Sequence, residues 1–401
     1  KPGRRRDLAR ASNRAALPAT VVVLGLVSLL TDLSSEMIFP LLPAFLAARF
    51  PDAALLLGAM EGLAELVAAL FKWLSGQWAD RAKRLRPLVI CGYAIATAAR
   101  PLMAFASSWW QPLLIRATDR VGKGIRGSPR DAMISSWVPE GGRGRAYGFQ
   151  RAMDNGGAAL GALAAAALVG MGIQVERVFL LSAIPGALAV LALLFAREPE
   201  SRIVVSPGRQ ALEPVPRRLF AYLGPVALFG LANSTDAFLL LKLTAEGAPA
   251  RLLPLAWLML QAVKSIISFP AGWVADRMGS ARIVAAGWGL YAVSYLGLAL
   301  VHGVPATLAV IAFYGLYHGL SEGAERALLS SLAPAQSRGR AFGLYYTLSG
   351  ISALAAGLGF GAIWKWFGQS AAFLSAAWIA GVSTLLLVAL LPVARRGVSS
   401  S

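Results

Sequence analysis

The chain states one pattern twice. Gly76-Gln-Trp-Ala-Asp80-Arg81 returns as Gly272-Trp-Val-Ala-Asp276-Arg277, and Arg143-Gly-Arg145-Ala-Tyr147-Gly148 returns as Arg338-Gly-Arg340-Ala-Phe342-Gly343, each 195 or 196 residues later. Between these anchors Asp131-Ala-Met-Ile-Ser-Ser lies over Arg326-Ala-Leu-Leu-Ser-Ser in the same register. Both copies are flanked by long apolar stretches. A repeat of this kind confines the chain to two parallel halves of one membrane-embedded body, an arrangement suited to alternating access.

The composition, 57% hydrophobic and 14% charged, leaves too little polar surface to cover a soluble body of 401 residues. Apolar runs near the length that crosses a bilayer recur throughout. The expected fold class is an all-α membrane protein of 12 transmembrane helices in two pseudo-symmetric six-helix bundles. The runs are 18–47, 54–79, 87–106, 109–137, 146–169, 177–196, 219–243, 252–273, 283–300, 305–332, 341–364 and 370–393. Glu198-Pro-Glu200, Pro207-Gly208 and Pro214-Val-Pro216 interrupt the apolar pattern and mark the one long link. The expected organisation is a basic cytoplasmic tail over 1–17, a bundle over 18–196, a cytoplasmic linker over 197–217, a second bundle over 218–393 and a cytoplasmic tail over 394–401.

A formal charge of +18 points to nucleic acid in a soluble protein, but here the cations have an address. Alternate connections hold Arg81, Lys83, Arg84 and Arg86, then Arg143 and Arg145, then five arginines between 197 and 218, then Arg277 and Arg282, Arg338 and Arg340, and Arg395 and Arg396. The opposite connections carry only Arg49, Arg177, Arg251 and Lys365. The positive-inside rule places both termini in the cytoplasm, with the chain in the cell inner membrane. No nucleic-acid partner is expected, and the chain is expected to act as a monomer. Cys91, the single cysteine, excludes an internal disulfide.

Gly76 to Arg86 resembles the cytoplasmic signature that follows helix 2 in the major facilitator superfamily, and Gly272 to Arg282 resembles its weaker echo after helix 8. The resemblance extends over the whole chain through helix number, loop charge and the two halves. Thr31-Asp-Leu-Ser-Ser-Glu-Met-Ile-Phe-Pro40 and the run from Asp119 to Asp131 resemble a bacterial subgroup of unassigned substrate. The resemblance implies that runs 1, 4, 7 and 10 line a cavity and that runs 3, 6, 9 and 12 face lipid. Ionisable groups at membrane depth are costly, so the lipid-facing four should be nearly free of them. Only Arg100 departs, and it is expected to snorkel to the outer interface.

The fourth run is the extreme case, with Arg116, Asp119, Arg120, Lys123, Arg126, Arg130 and Asp131. At 100° per residue these seven fall within an arc of roughly 140°, one wet face opposite a dry one. Arg116 matches the arginine of the superfamily's helix-4 motif, which the resemblance links to proton handling. Such a cationic face needs partners. Asp32 and Glu36 in the first run, Glu61, Glu65 and Lys72 in the second, and Arg151 and Asp154 in the fifth supply them. The expected proton-coupling set is Asp32, Glu36, Arg116, Asp119 and Asp154. Arg116, Arg120, Lys123 and Arg151 are expected to attract an anionic group on the substrate.

The second half is less charged within its runs. Asn233, Asp236, Lys264, Tyr314, His318, Glu322 and Tyr345 complete the expected substrate-binding set, with aromatic area for an organic molecule and polar tips to orient it. His318 and Glu322 stand four apart, as metal ligands can, yet a lone pair of this kind is more often a hydrogen bond, and no metal site is expected. Gly319-Leu-Ser321-Glu-Gly323 satisfies Gly-x-Ser-x-Gly, but it lies inside a span with no strand-turn-helix setting, so no enzyme is expected. Its glycines, with Gly157-x-x-x-Gly161 and Gly357-x-x-x-Gly361, suit close helix contact. Gly76, Asp80, Arg81, Arg130, Gly272, Asp276 and Arg277 are expected to form a cytoplasmic gate, each carboxylate facing a helix N-terminus.

Together these readings describe a secondary active transporter. It would move a small anionic or zwitterionic organic molecule by proton-coupled alternating access, with no cofactor beyond the proton. Export of amphipathic drugs by proton antiport, or transport of a metal or metal-chelating siderophore, are the alternatives.

Overall fold

A computed structural model describes residues 17–82, 84–138, 143–198, 217–332 and 338–396, apart from certain side chains inside the helices. No strand occurs among the described residues. Among the described residues twelve helical segments follow one another: α1a (Ala19–Glu36) with α1b (Leu42–Arg49), α2 (Ala53–Arg81), α3 (Arg86–Ala99), α4 (Trp110–Trp137), α5 (Arg143–Gly170), and α6a (Val175–Leu181) with α6b (Ala183–Ala192). The second six are α7a (Arg217–Ala232) with α7b (Ala237–Ala245), α8 (Leu252–Met278), α9 (Ser280–Leu300), α10 (Val304–Leu332), α11 (Arg338–Phe367) and α12 (Gln369–Arg396). Among the described residues ten of these segments are long and apolar enough to cross a membrane. The other two are α4, loaded with arginine, and α8, whose apolar stretch covers only Leu252–Ser268.

Packing repeats as the sequence does. In the first six segments α1a packs on α5 and α6b, and α3 on α4 and α6b. In the second six α7a packs on α11 and α12, and α9 on α10 and α12. Tight turns hold neighbours antiparallel. Gly279, between α8 and α9, has φ 91°, a conformation open to glycine and costly for residues with a Cβ.

The leading helix of each six is broken at the same place in the repeat. Pro40 follows the end of α1a, where a 3-10 turn over Phe39–Leu41 carries the chain into α1b. Proline lacks the amide that would continue the ladder and restricts the residue before it. In α7 the polar run Asn233-Ser-Thr-Asp236 separates the two pieces, because short polar side chains compete for backbone hydrogen bonds. Freed backbone groups inside a span must be satisfied by protein. Tyr291 donates its hydroxyl to Ala232 O at 2.6 Å, Ser234 Oγ lies 3.3 Å from Tyr295 Oη, and Thr235 Oγ1 accepts from the Ala237 amide at 3.3 Å.

By contact the chain divides into two units, residues 1–39 with 67–208, and residues 40–66 with 209–401. The first is built on glycine approach between α1a and α5. A Cβ at Gly157 would strike the Leu29 carbonyl oxygen, and one at Gly161 would strike that of Leu33. In the second unit the first half of α2 lies against α11. A Cβ on Gly58 would overlap the Gly357 carbonyl oxygen, one on Gly357 would overlap that of Gly58, and Gly361 meets the Ala54 carbonyl oxygen in the same way. The core of this unit is aromatic. Tyr291 stacks on Tyr295 at 4.0 Å and Phe229 on Trp288 at 4.3 Å, with Tyr314 and Tyr317 edge-on or tilted around them. Each such pair adds about 0.5–1.5 kcal/mol beyond the area it buries.

Candidate functional site

In the first unit the fourth helix buries part of its charged face. Arg116, Asp119 and Arg126 are 6%, 2% and 5% exposed. Asp119 is the anion at the centre: Arg100 Nε donates to its Oδ1 at 2.8 Å, and Arg116 Nη1 stands 3.6 Å from its Oδ2. Arg100 also donates from Nη1 to Thr31 O at 3.0 Å, tying the start of the 3-10 turn after α3 to α1a. The expectation that Arg100 snorkels to the interface is therefore corrected. It is 6% exposed and faces inward, because a buried carboxylate was within reach and lipid offered none. Aromatic faces take up part of the remaining positive charge. Arg116 lies 5.2 Å from the Phe39 ring centroid and Arg126 4.2 Å from that of Tyr93. One guanidinium nitrogen of Arg126, Nη1, is buried without a hydrogen-bond partner.

Asp32 is part-buried on α1a, within electrostatic reach of Arg126, Lys123 and Arg100 and of the like-charged Asp154. Glu36 is part-buried beside Gly161. Gln150 links helices here by donating to Ser28 Oγ and, at 3.2 Å, to Asp154 Oδ1. Arg130 reaches the same Ser28 hydroxyl at 3.2 Å while pairing with Asp131 at 3.2 Å. Arg120 is part-buried, whereas Lys123 and Arg151 are exposed.

The second unit brings four of its expected residues into one cluster. Asp236, at the break in α7, accepts from Lys264 Nζ at 2.6 Å on Oδ2 and from the Tyr314 hydroxyl at 2.6 Å on Oδ1. His318 Nε2 lies 3.3 Å from Asp236 Oδ1 and 3.2 Å from Tyr314 Oη. The Lys264 ammonium sits 5.4 Å from the Trp257 ring centroid. Helix breakage is what makes this possible, since it swings a short carboxylate out of the α7 axis toward α8 and α10. Asn233 is part-buried in the same break. Glu322 lies apart from this cluster, exposed and ion-paired with Arg326 at 2.7 Å. Tyr345 also serves elsewhere, donating to Glu325 Oε2 at 2.8 Å.

Of the expected gate, Gly76 faces Ser128 at ordinary contact distance and Arg277 is exposed. Gly272 and the side chains of Asp80, Arg81 and Asp276 lie outside the described residues. No group of three or more His, Cys, Asp or Glu suited to a metal occurs among the described residues.

One participant, Arg100, was named from the sequence in another role, and two, Glu325 and Lys242, escaped the sequence reading. Arg100 was the lone charge in its run, and that isolation was its signal. Glu325 follows His318 by seven residues, two helical turns along one face of α10. Lys242 is fully buried near the C-terminal end of α7b, bonded to Glu246 at 2.9 Å and to Val301 O at 3.2 Å. Glu246 also accepts from the Gly303 amide at 2.7 Å and from Gln369 at 3.3 Å, which joins α7b, α12 and the turn after α9.

Comparison with known proteins agrees with this architecture. The model of the Major Facilitator Superfamily matches residues 24–260 and 247–401. An uncharacterised MFS-type transporter of Methanocaldococcus jannaschii is 29% identical over 386 residues, covering 94% of this chain and 96% of its own. A multidrug resistance protein, MdtH of Yersinia enterocolitica, is 31% identical over 136 residues, 34% of each chain. The crystal structure of the nucleoside transporter NupG superposes with a TM-score of 0.77 over 93% of this chain and 99% of its own, at 13% identity, a likeness of fold alone.

Proposed function

This chain belongs to the Major Facilitator Superfamily, and on that premise we propose that it moves a small anionic or zwitterionic organic molecule across the inner membrane by proton-coupled alternating access. The observation that carries the reading is the buried guanidinium cluster of the first unit. Arg100 and Arg116 pair with Asp119, Asp32 stands within electrostatic reach of Arg100 and Arg126, and one nitrogen of Arg126 is buried without a hydrogen-bond acceptor. A buried guanidinium nitrogen left without an acceptor is costly, and an anionic group on a substrate offsets that cost. Arg116, Arg120 and Lys123 supply the attraction, with Asp32, Glu36, Asp119 and Asp154 as carboxylates whose protonation changes as their cations are drawn away. In the second unit, Lys264 offers an ammonium now held by Asp236, and Tyr314 and His318 offer aromatic area with polar tips. The bundles 18–196 and 218–393 act as the two moving bodies, with both termini cytoplasmic and a monomer as the working unit.

A second reading, export of amphipathic compounds by multidrug/proton antiport, draws on the local likeness to MdtH and on the tyrosine-rich core of the second unit. A thermal-shift screen of the purified chain against carboxylates, zwitterionic amino acids, nucleosides and lipophilic cations, at two pH values, separates the two. The proposal expects stabilisation by anions or zwitterions that Arg116→Gln abolishes. Stabilisation by lipophilic cations alone contradicts it.

A further inference from the structure

The turn between α1b and α2 meets the C-terminal ends of α7b and α11 around a cavity of about 450 Å³. That volume falls in the range of small-molecule sites. Every residue lining it belongs to the second unit. Its apolar wall is made by Phe50 from the turn, Leu241 from α7b and Trp364 from α11. Trp364 packs among Phe238, Phe360 and Phe373, with ring centroids 5.9, 6.1 and 5.8 Å away, so this side is set before anything binds.

Two of the lining residues are charged. The Asp52 carboxylate and the Lys365 ammonium pair at 2.9 Å, with side chains 50% and 34% exposed. A pair this open to water contributes little, so each partner can exchange the other for an opposite charge on a ligand at small cost. Thr244, also in the lining, gives its hydroxyl proton to Leu240 O at 2.9 Å and so presents an acceptor. These groups choose among ligands. One of a single sign meets repulsion from the like-charged member of the pair, and an uncharged one covers both charges without satisfying either. A ligand with a cation and an anion on an apolar body meets every group with its complement.

We propose that this cavity binds a zwitterion with an apolar body, its anion on Lys365 and its ammonium on Asp52. A free amino acid with a large apolar side chain and the phosphoethanolamine headgroup of a lipid share this chemistry. On the orientation proposed above, the cavity opens away from the cytoplasm, since the connections at this end carry few cations. The turn belongs to the first six segments and α7b and α11 to the second six. An occupant therefore joins the two sixes at this end and slows a cycle that parts them. That consequence rests on the proposed alternating access, whereas the binding does not.

The test reads the cavity itself. Thr244→Cys is introduced into the full-length chain together with Cys91→Ser, and modification of the new thiol by a charged maleimide is timed. The probes are phenylalanine, N-acetylphenylalaninamide, a short-chain phosphatidylethanolamine and the matching phosphatidylglycerol. Phenylalanine or the phosphatidylethanolamine should slow the reaction at least several-fold, and the uncharged amide and the phosphatidylglycerol should not. Lys365→Gln and Asp52→Asn should each remove the protection, while Arg116→Gln should keep it, which separates this cavity from the transport site proposed above. Protection by phenylalanine alone assigns the ligand to solution, and protection by the phosphatidylethanolamine alone assigns it to the bilayer. Equal rates with every probe, or protection that survives Lys365→Gln, overturn the proposal. Should Thr244→Cys fail to fold, titration calorimetry with both zwitterions decides, and equal heats for wild type and Lys365→Gln overturn it equally. In proteoliposomes the protecting probe should slow flux in the wild type and not in Lys365→Gln; flux unchanged in both removes the effect on transport and leaves the site.

Discussion

Arg100 and Asp119 form a buried ion pair, Nε to Oδ1 at 2.8 Å, between the turn that follows α3 and the middle of α4. The same arginine holds Thr31 O, so one guanidinium fixes three helices around the arginine-rich face. Removing one member strands the other. Asp119→Asn or Arg100→Gln is expected to cost about 3–5 kcal/mol, while replacing both with apolar residues of similar volume costs far less than the sum. Melting temperatures of the four proteins in one detergent check this.

The apolar run lengths made the helix count legible, and the sequence repeat foretold the repeated packing of the two sixes, because run length and register are written directly in the residues. Asp236, Lys264, Tyr314 and His318 were legible as residues but not as a cluster, since the break after Ala232 that turns Asp236 toward Lys264 is held by tyrosine hydroxyls from α9. Arg100 was misjudged for a related reason. Hydropathy shows that a charge is costly in a run, not which neighbour 19 residues away relieves it. Lys242 was passed over because its partners, Val301 O and Glu246, come from a backbone carbonyl and a helix end.

Lys264 is held by Asp236 at 2.6 Å, and an anionic ligand group competes with that carboxylate for it. Lys264→Gln is expected to weaken the compound that best stabilises the wild type by roughly tenfold or more, the value of one charge-assisted hydrogen bond. Titration calorimetry reads the change. An unchanged affinity places the anion elsewhere.

Gly58 and Gly357 touch backbone to backbone, and Asp52, in the turn just before α2, pairs with Lys365 of α11 at 2.9 Å. Gly58→Val leaves no room for this approach of α2 to α11. A cysteine pair at Asp52 and Lys365 is expected to cross-link readily with Gly58 present and at least several-fold more slowly in Gly58→Val. Equal rates contradict the contact.

Glu246 lies just outside the span, and the Gly303 amide, followed by Lys242, holds its carboxyl below the usual carboxylate range. A depressed folded value means that the stabilisation is present above the unfolded value, about 4.3, and is lost as the pH falls through the folded one. Glu246→Gln should therefore lower the melting temperature at neutral pH, and the difference from wild type should close in strong acid. A difference independent of pH would show that the carboxylate charge does not hold α7b to α12.

The most direct test of proton-coupled transport uses proteoliposomes loaded with a pH-sensitive dye and given the most stabilising compound from the thermal screen. The wild type should move protons together with labelled compound, and Arg116→Gln should lose both. Full flux of the compound with no accompanying proton movement would contradict the account.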